Sequence, residues 1–260
     1  MQCEEILTLL EKIAPKQYAC DWDNVGLLVG DRKEEVKRIY LALDATDEVI
    51  EEAVLKKADL LITHHPLIFS GQKQVVADHF IGRRIRKLIQ NDISYCAMHT
   101  NFDVAVMADL AAERLGMKEM RVLDVMFEKE EKEFGIGKIG MLPDKMTVKE
   151  TAELVKEAFL LPNVRVFGDL ERIVQKAAVS PGSGKSEITP ALLGQAEVLI
   201  TGDIDHHDGI DAVARGLCII DAGHYGLEHI FIPFLKEYLQ KQCAETEVLV
   251  REHILPFQTV

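Results

Sequence analysis

Short apolar runs bounded by breakers alternate with amphipathic stretches along the chain. Leu60-Leu61-Ile62 leads straight into His64 and His65, and Pro66 stops it; a buried parallel strand reads this way. Residues 37–43, 93–98, 172–179, 217–220 and 246–251 predict further strands. The stretches D-W-D-N-V-G-L-L-V-G (21–30) and F-G-I-G-K-I-G-M-L (134–142) each add a glycine-punctuated one. Between them the period changes. Residues 3–13 place Ile6, Leu9, Leu10 and Ile13 on one helical face, and Pro15 ends that helix. Helices are also predicted over 47–57, 78–91, 104–115 (with Gly116 as its cap), from Thr147 onward, over 187–194 and over 226–240. This alternation makes the class α/β.

The pattern repeats. A-D-L-L-I-T-H-H (58–65) parallels A-E-V-L-I-T-G-D (196–203), and I-S-Y-C-A-M-H (93–99) parallels L-C-I-I-D-A-G-H (217–224). The two halves therefore read as diverged copies of one α/β unit. The run E-K-E-E-K-E (128–133) is a solvated hairpin or a linker, and the expected domains are 1–127 and 128–260, with the C-terminal helix able to pack back on the first.

Composition narrows the function classes. The chain has 260 residues, 48% hydrophobic and 28% charged, as a soluble globular protein does. Its net charge of −13 argues against sequence-independent binding of nucleic acid, which needs clustered Lys and Arg. No stretch is long and apolar enough for a membrane helix, and the acidic, amphipathic N-terminus lacks the marks of a signal peptide. Five scattered cysteines without a C-x-x-C pattern fit buried thiols in a reducing cytoplasm. Nine histidines in so acidic a chain supply, with Asp and Glu, the ligand set for Zn, Mn or Fe.

Chemistry concentrates after the apolar strands: His64/His65, then His99/Asp103, then Asp203 to Asp208 with His206 and His207, then His224/Glu228/His229. Ligands in open α/β sheets bind beyond the carboxyl ends of the strands. His64 and His65 can serve two centres about 4 Å apart or act as hydrogen-bonded loop residues. His224 and Glu228, four apart on one helical face, can share a metal. With Asp103 these make five candidate ligands for a binuclear site. His206 and His207 compete with them or form a surface turn. Trp22, the only tryptophan, walls a pocket or closes a tight turn capped by Asp21 or Asp23. The loop S-P-G-S-G-K-S (180–186) is not a P-loop, because Val179 stands where that pattern needs glycine. Its Ser183 and Lys185 can still offer donors to an anion.

The blocks D-W-D-N-V-G-L-L-V-G, L-I-T-H-H-P-L-I-F, M-H-T-N-F-D, S-P-G-S-G-K-S, I-T-G-D and G-H-Y-G-L-E together resemble the YbgI-type dinuclear metal-centre proteins. That family is also known as the GTP cyclohydrolase I type 2-like or NGG-interacting-factor-three-like proteins. The resemblance implies that His64 and Asp103 bind one divalent ion, that His65 and His224 bind the other, and that Glu228 bridges them. It also implies a site in the cleft between two related α/β domains and a homohexamer. Some relatives insert a domain between the halves, for which the short run at 128–133 leaves no room. The function expected is a metal-dependent hydrolase acting on a small molecule, a nucleotide or a cyclic amide or phosphoester. His99, just past a strand end near Asp103, is the candidate proton shuttle because an imidazole titrates near neutrality. The rival is a metal-binding regulatory scaffold without turnover.

Overall fold

The computed structural model describes residues 1–258. The chain divides into two compact units. The first, Met1–Phe102, carries strands β1 (Gly26–Val29), β2 (Arg38–Ala42), β3 (Leu60–Thr63) and β4 (Ser94–Ala97). The second, Asp103–Ile230, carries β5 (Lys118–Lys129), β6 (Lys132–Thr147), β7 (Arg165–Phe167), β8 (Ile173–Ser183), β9 (Val198–Gly202) and β10 (Cys218–Asp221). The chain then returns to the first unit with helix Phe231–Gln242 and strand β11 (Glu247–Val250), and the segment from Leu255 rejoins the second.

Both sheets are mixed, and the observed class is α/β. The first runs β1-β4-β3-β2-β11, the second β5-β6-β8-β9-β10-β7. Every residue of β3, β4, β9 and β10 is buried, as the apolar runs predict for strands covered on both faces. Helix Cys3–Ile13 matches its predicted span. Gln2 and Glu5 close a capping box at its start, and Cys3, Ile6, Leu7 and Leu10 bury its apolar face.

The suspected duplication is present in the hydrogen bonding. In the first unit Ile39 pairs with Leu60 and Leu60 with Ser94; in the second Ala177 pairs with Val198 and Val198 with Cys218. Asp59 precedes β3 and accepts the backbone N–H groups of Lys37 and Arg38 at 2.8 and 2.7 Å. Glu197 precedes β9 and does the same for Gln175 and Lys176 at 2.7 and 2.9 Å. An antiparallel edge strand completes each copy, β1 on β4 and β7 on β10.

Three features depart from the expected elements. The run at 128–133 is the tip of the β5–β6 hairpin, so the units divide at Phe102/Asp103 rather than at 127/128. The helix expected over 226–240 is two helices, His224–Glu228 and Phe231–Gln242, and the chain changes unit between them. The helix expected over 104–115 begins as a π-helical turn, Asp103–Met107, before Ala108–Arg114; Gly116 comes next but one, with φ +66°.

Glu187 sits ahead of helix Ile188–Leu193 and is 3% exposed. Burial, helped by the negative charge of Asp124 and opposed by a hydrogen bond from Ser186, lifts its carboxyl to about 7. A raised carboxyl binds its proton more tightly folded than unfolded, so stability falls as pH rises from the ordinary glutamate range toward 7. Glu187→Gln should therefore raise the melting temperature at pH 8, on the order of 2 kcal/mol of stability, and change little at pH 5. Thermal unfolding followed by circular dichroism at both pH values checks this; an equal shift at both contradicts it.

Candidate metal centre

Strand β3 ends at Thr63, flanked by parallel β2 and β4, and the ends of these three strands fix the turn that carries His64 and His65. His65 N–H donates to Leu43 O at 3.0 Å, and Met98 N–H donates to Thr63 O at 2.9 Å. The buried Tyr95 hydroxyl accepts from Leu67 N–H at 2.8 Å and donates to His65 O at 3.0 Å. Burial pushes that phenol far above its ordinary pKa, so it stays a neutral donor. The backbone around the two histidines is therefore pinned on both sides.

His64 is fully buried, and its Nδ1–H donates to Met98 O at 2.7 Å. A carbonyl can only accept, so Nε2 carries the lone pair. His65 Nδ1–H donates to Asp44 at 2.8 Å, and His99 Nδ1–H donates to Asp23 at 2.9 Å. The rings lie 4.9 Å (His64 to His65), 5.2 Å (His64 to His99) and 5.5 Å (His65 to His99) apart. One ligand atom from each lies within 4.8 Å of the other two. Phe102 and Phe231 pack against the His64 ring, so this cluster has an apolar wall.

Asp23 is the best-supported carboxylate in the unit. Burial alone would raise its pKa, but hydrogen bonds from His99 and from the hydroxyl and backbone N–H of Thr100 outweigh it and hold the group at about 2. It is ionised at neutral pH and fixes both the tautomer and the tilt of His99. Trp22 lies edge-on to His99 at 5.9 Å and 5.6 Å from Phe69. Both Trp22 and Phe69 are more than half exposed, so they form an open aromatic wall beside the histidines.

The second unit has its own set. His224 follows β10; its Nδ1–H donates to Asp203 at 2.8 Å, and its Nε2 lies 3.1 Å from Glu228 Oε2. Glu228 is 2% exposed. Gly182, with φ +84°, lies against it, and a Cβ there would stand 2.5 Å from Glu228 Oε1. The glycine of the Gly-Ser loop thus makes room for this carboxylate. Asp103 stands at the first position of the π-helical turn, an irregularity common at functional positions.

The remaining candidates are placed otherwise. Lys185 is ion-paired with Asp208 at 2.8 Å, Ser183 is exposed at the end of β8, and Gly184 N–H is committed to Gly202 O at 3.1 Å. The short helix Ile188–Leu193 follows the loop. His206 and His207 begin the surface helix His206–Ala214, and His229 donates to Gly226 O at 2.9 Å. Sequence reasoning named the histidines but not the role of Met98 O, Asp44 or Asp23 in holding them. The one available signal was an acid just past a predicted strand, as at Asp44.

A sequence profile of the Duf34/NIF3 (NGG1p interacting factor 3) family matches residues 1–256. A Clostridium perfringens protein named GTP cyclohydrolase 1 type 2 homolog is 36% identical over 264 residues, covering 100% of both chains. Among solved structures, a Bacillus cereus protein related to NIF3 superposes with a TM-score of 0.90 at 26% identity, covering 100% of this chain and 99% of its own. Staphylococcus aureus protein SA1388 superposes with a TM-score of 0.89 at 31% identity and the same coverage.

Tyr95→Phe should leave the buried Leu67 N–H without its acceptor and cost about 1–3 kcal/mol. The fall in denaturant midpoint measures it, and an unchanged midpoint shows that the hydroxyl does not pin this turn.

Proposed function

Because the chain belongs to the Duf34/NIF3 family, we propose that it is a dinuclear metal-dependent hydrolase whose ligands are His64, His65, Asp103, His224 and Glu228. The observation that carries this reading is common to four histidines. In His64, His65, His99 and His224 alike, Nδ1–H is held by a backbone carbonyl or a carboxylate, which turns Nε2 the other way; in His224 that nitrogen meets Glu228 Oε2 at 3.1 Å. Metal-binding imidazoles are oriented in this way. Imidazole with carboxylate suits Zn, Mn or Fe. His64 and Asp103 would hold one ion, His65 and His224 the second, with Glu228 shared. When bound, two divalent cations would supply Lewis acidity toward water and toward a carbonyl or phosphoryl oxygen of the substrate.

The chain's own residues supply the rest. His99 accepts and returns a proton at Nε2, and Asp23 stabilises its imidazolium through Nδ1–H. Trp22 and Phe69 offer faces on which a planar ring stacks. The relatives' name makes GTP the first substrate to try, followed by phosphodiesters and cyclic amides.

Elemental analysis should find about two divalent ions per chain, fewer at both positions in Glu228→Ala and fewer at one in His64→Ala. His99→Ala should keep its metal and lose about 10²-fold in kcat, whereas Trp22→Ala should mainly raise KM. Full metal content in Glu228→Ala refutes the shared ligand. If wild type turns over none of these substrates faster than Glu228→Ala does, a non-catalytic metal-binding protein replaces the hydrolase.

We also propose a homo-oligomer, a hexamer by family resemblance. Light scattering at micromolar concentration checks the assembly, and the mass of a single chain refutes it.

A further inference from the structure

The second unit holds a cavity of about 500 Å³, the size of a small-molecule pocket, that opens beside His224 and is lined by Leu161, Arg165, Tyr225, Leu255 and Phe257. The repeat explains its position. Leu161–Arg165 leads into edge strand β7, as Trp22–Gly26 leads into β1. Ile220 pairs with Val166 in one copy, and Cys96 pairs with Leu27 in the other. One position of the repeat therefore builds the Trp22 wall beside His99 and, in the second copy, the wall of this cavity beside His224.

The walls are mostly apolar, and their charged groups are Arg165, Asp221 and Asp203, the last engaged by His224 Nδ1–H. Arg165 donates from Nη2 to Asp221 Oδ2 and, at 3.2 Å, to Ile204 O. Asp221 is 3% exposed, and it also accepts Ile204 N–H at 3.1 Å and Gly223 N–H at 3.0 Å. Three donors thus meet that carboxylate, while the Arg165 side chain is 66% exposed and its Nε and Nη1 donors take no part in those bonds. Tyr225 lies parallel to His229, with ring centroids 6.3 Å apart, which steadies it as a flat wall. The tip of Phe257 covers Gly223, which has φ +74°; a Cβ there would stand 3.9 Å from Phe257 Cζ. The C-terminal segment thus folds over the loop that delivers His224.

We infer that this cavity binds a planar aromatic or heteroaromatic ring carrying a carboxylate or phosphate. The ring packs against Tyr225 and Phe257, and the anion is held by the Arg165 fork. The inference rests on the proposed function only in making that ligand a substrate whose far end reaches His224.

The test is a fluorescence titration of 2-naphthoate against its neutral isostere 2-naphthamide, with metal content measured on the same samples. Wild type should bind the acid saturably and the amide about tenfold more weakly, with or without prior chelator treatment. Phe257→Ala, at an exposed position that leaves the fold intact, should weaken both by about fivefold. Arg165→Gln should abolish the preference for the acid, and Arg165→Lys should restore part of it. Equal binding of acid and amide by wild type, unchanged binding in Phe257→Ala, or binding lost on chelation each overturns the assignment. Naphthoate binding intact in a chain that takes up no metal refutes the hydrolase and leaves this subsite standing; metal uptake without naphthoate binding does the reverse.

Discussion

The hydrogen bond from each histidine's Nδ1–H to an oxygen of its own unit is the interaction on which the rest of the chemistry depends. An imidazole has two nitrogens and free rotation about its bond to Cβ, so an unanchored ring aims its lone pair nowhere in particular. Met98 O, Asp44, Asp23 and Asp203 remove that freedom at His64, His65, His99 and His224. Several of these anchors are themselves fixed, because they lie where parallel strands end side by side. Met98 O can meet His64 because Met98 N–H is already bound to Thr63 O. The sheet registers thus set the direction of each lone pair to within the tolerance of a hydrogen bond.

The duplication extends this constraint to both units. Ala222 N–H donates to Thr201 O at 2.8 Å in the second copy, where Met98 N–H donates to Thr63 O at 2.9 Å in the first. The copies have kept their backbone hydrogen bonding and exchanged their side chains. Where the first places His64 and His65 after Thr63, the second places Gly202 and Asp203 after Thr201, and Asp203 serves as an anchor.

The buried strands were legible because a strand covered on both faces can only be apolar, and β3 falls where Leu60-Leu61-Ile62 predicts it. The histidines were legible because they interrupt such runs. Three other features were not. Asp23 and His99 are separated by 76 positions, and no local pattern announces a hydrogen bond across that distance. Strand β5 lies at a sheet edge. Its apolar residues Val122, Leu123, Val125, Met126 and Phe127 are broken by Asp124 and mostly not buried, so they form neither the continuous run of an interior strand nor a clean alternation. The loop at 180–186 resembled a phosphate cradle because glycine and serine also suit a close backbone approach. Gly182 serves that second need, against Glu228.

Strand β11 closes the first sheet on the side of β2, with Val248 paired to Ile39 and Leu249 to Tyr40. During synthesis the ribosome delivers β1 to β4 early, yet the strand that covers the β2 edge emerges only after all the strands of the second unit. An uncovered parallel strand offers its N–H and C=O groups to any extended chain nearby. The order of translation therefore makes the second unit the first to complete its sheet. Until β11 has been made, the buried strand β2 is an edge of the N-terminal sheet, and in a nascent or truncated chain its N–H and C=O groups are open to mispairing.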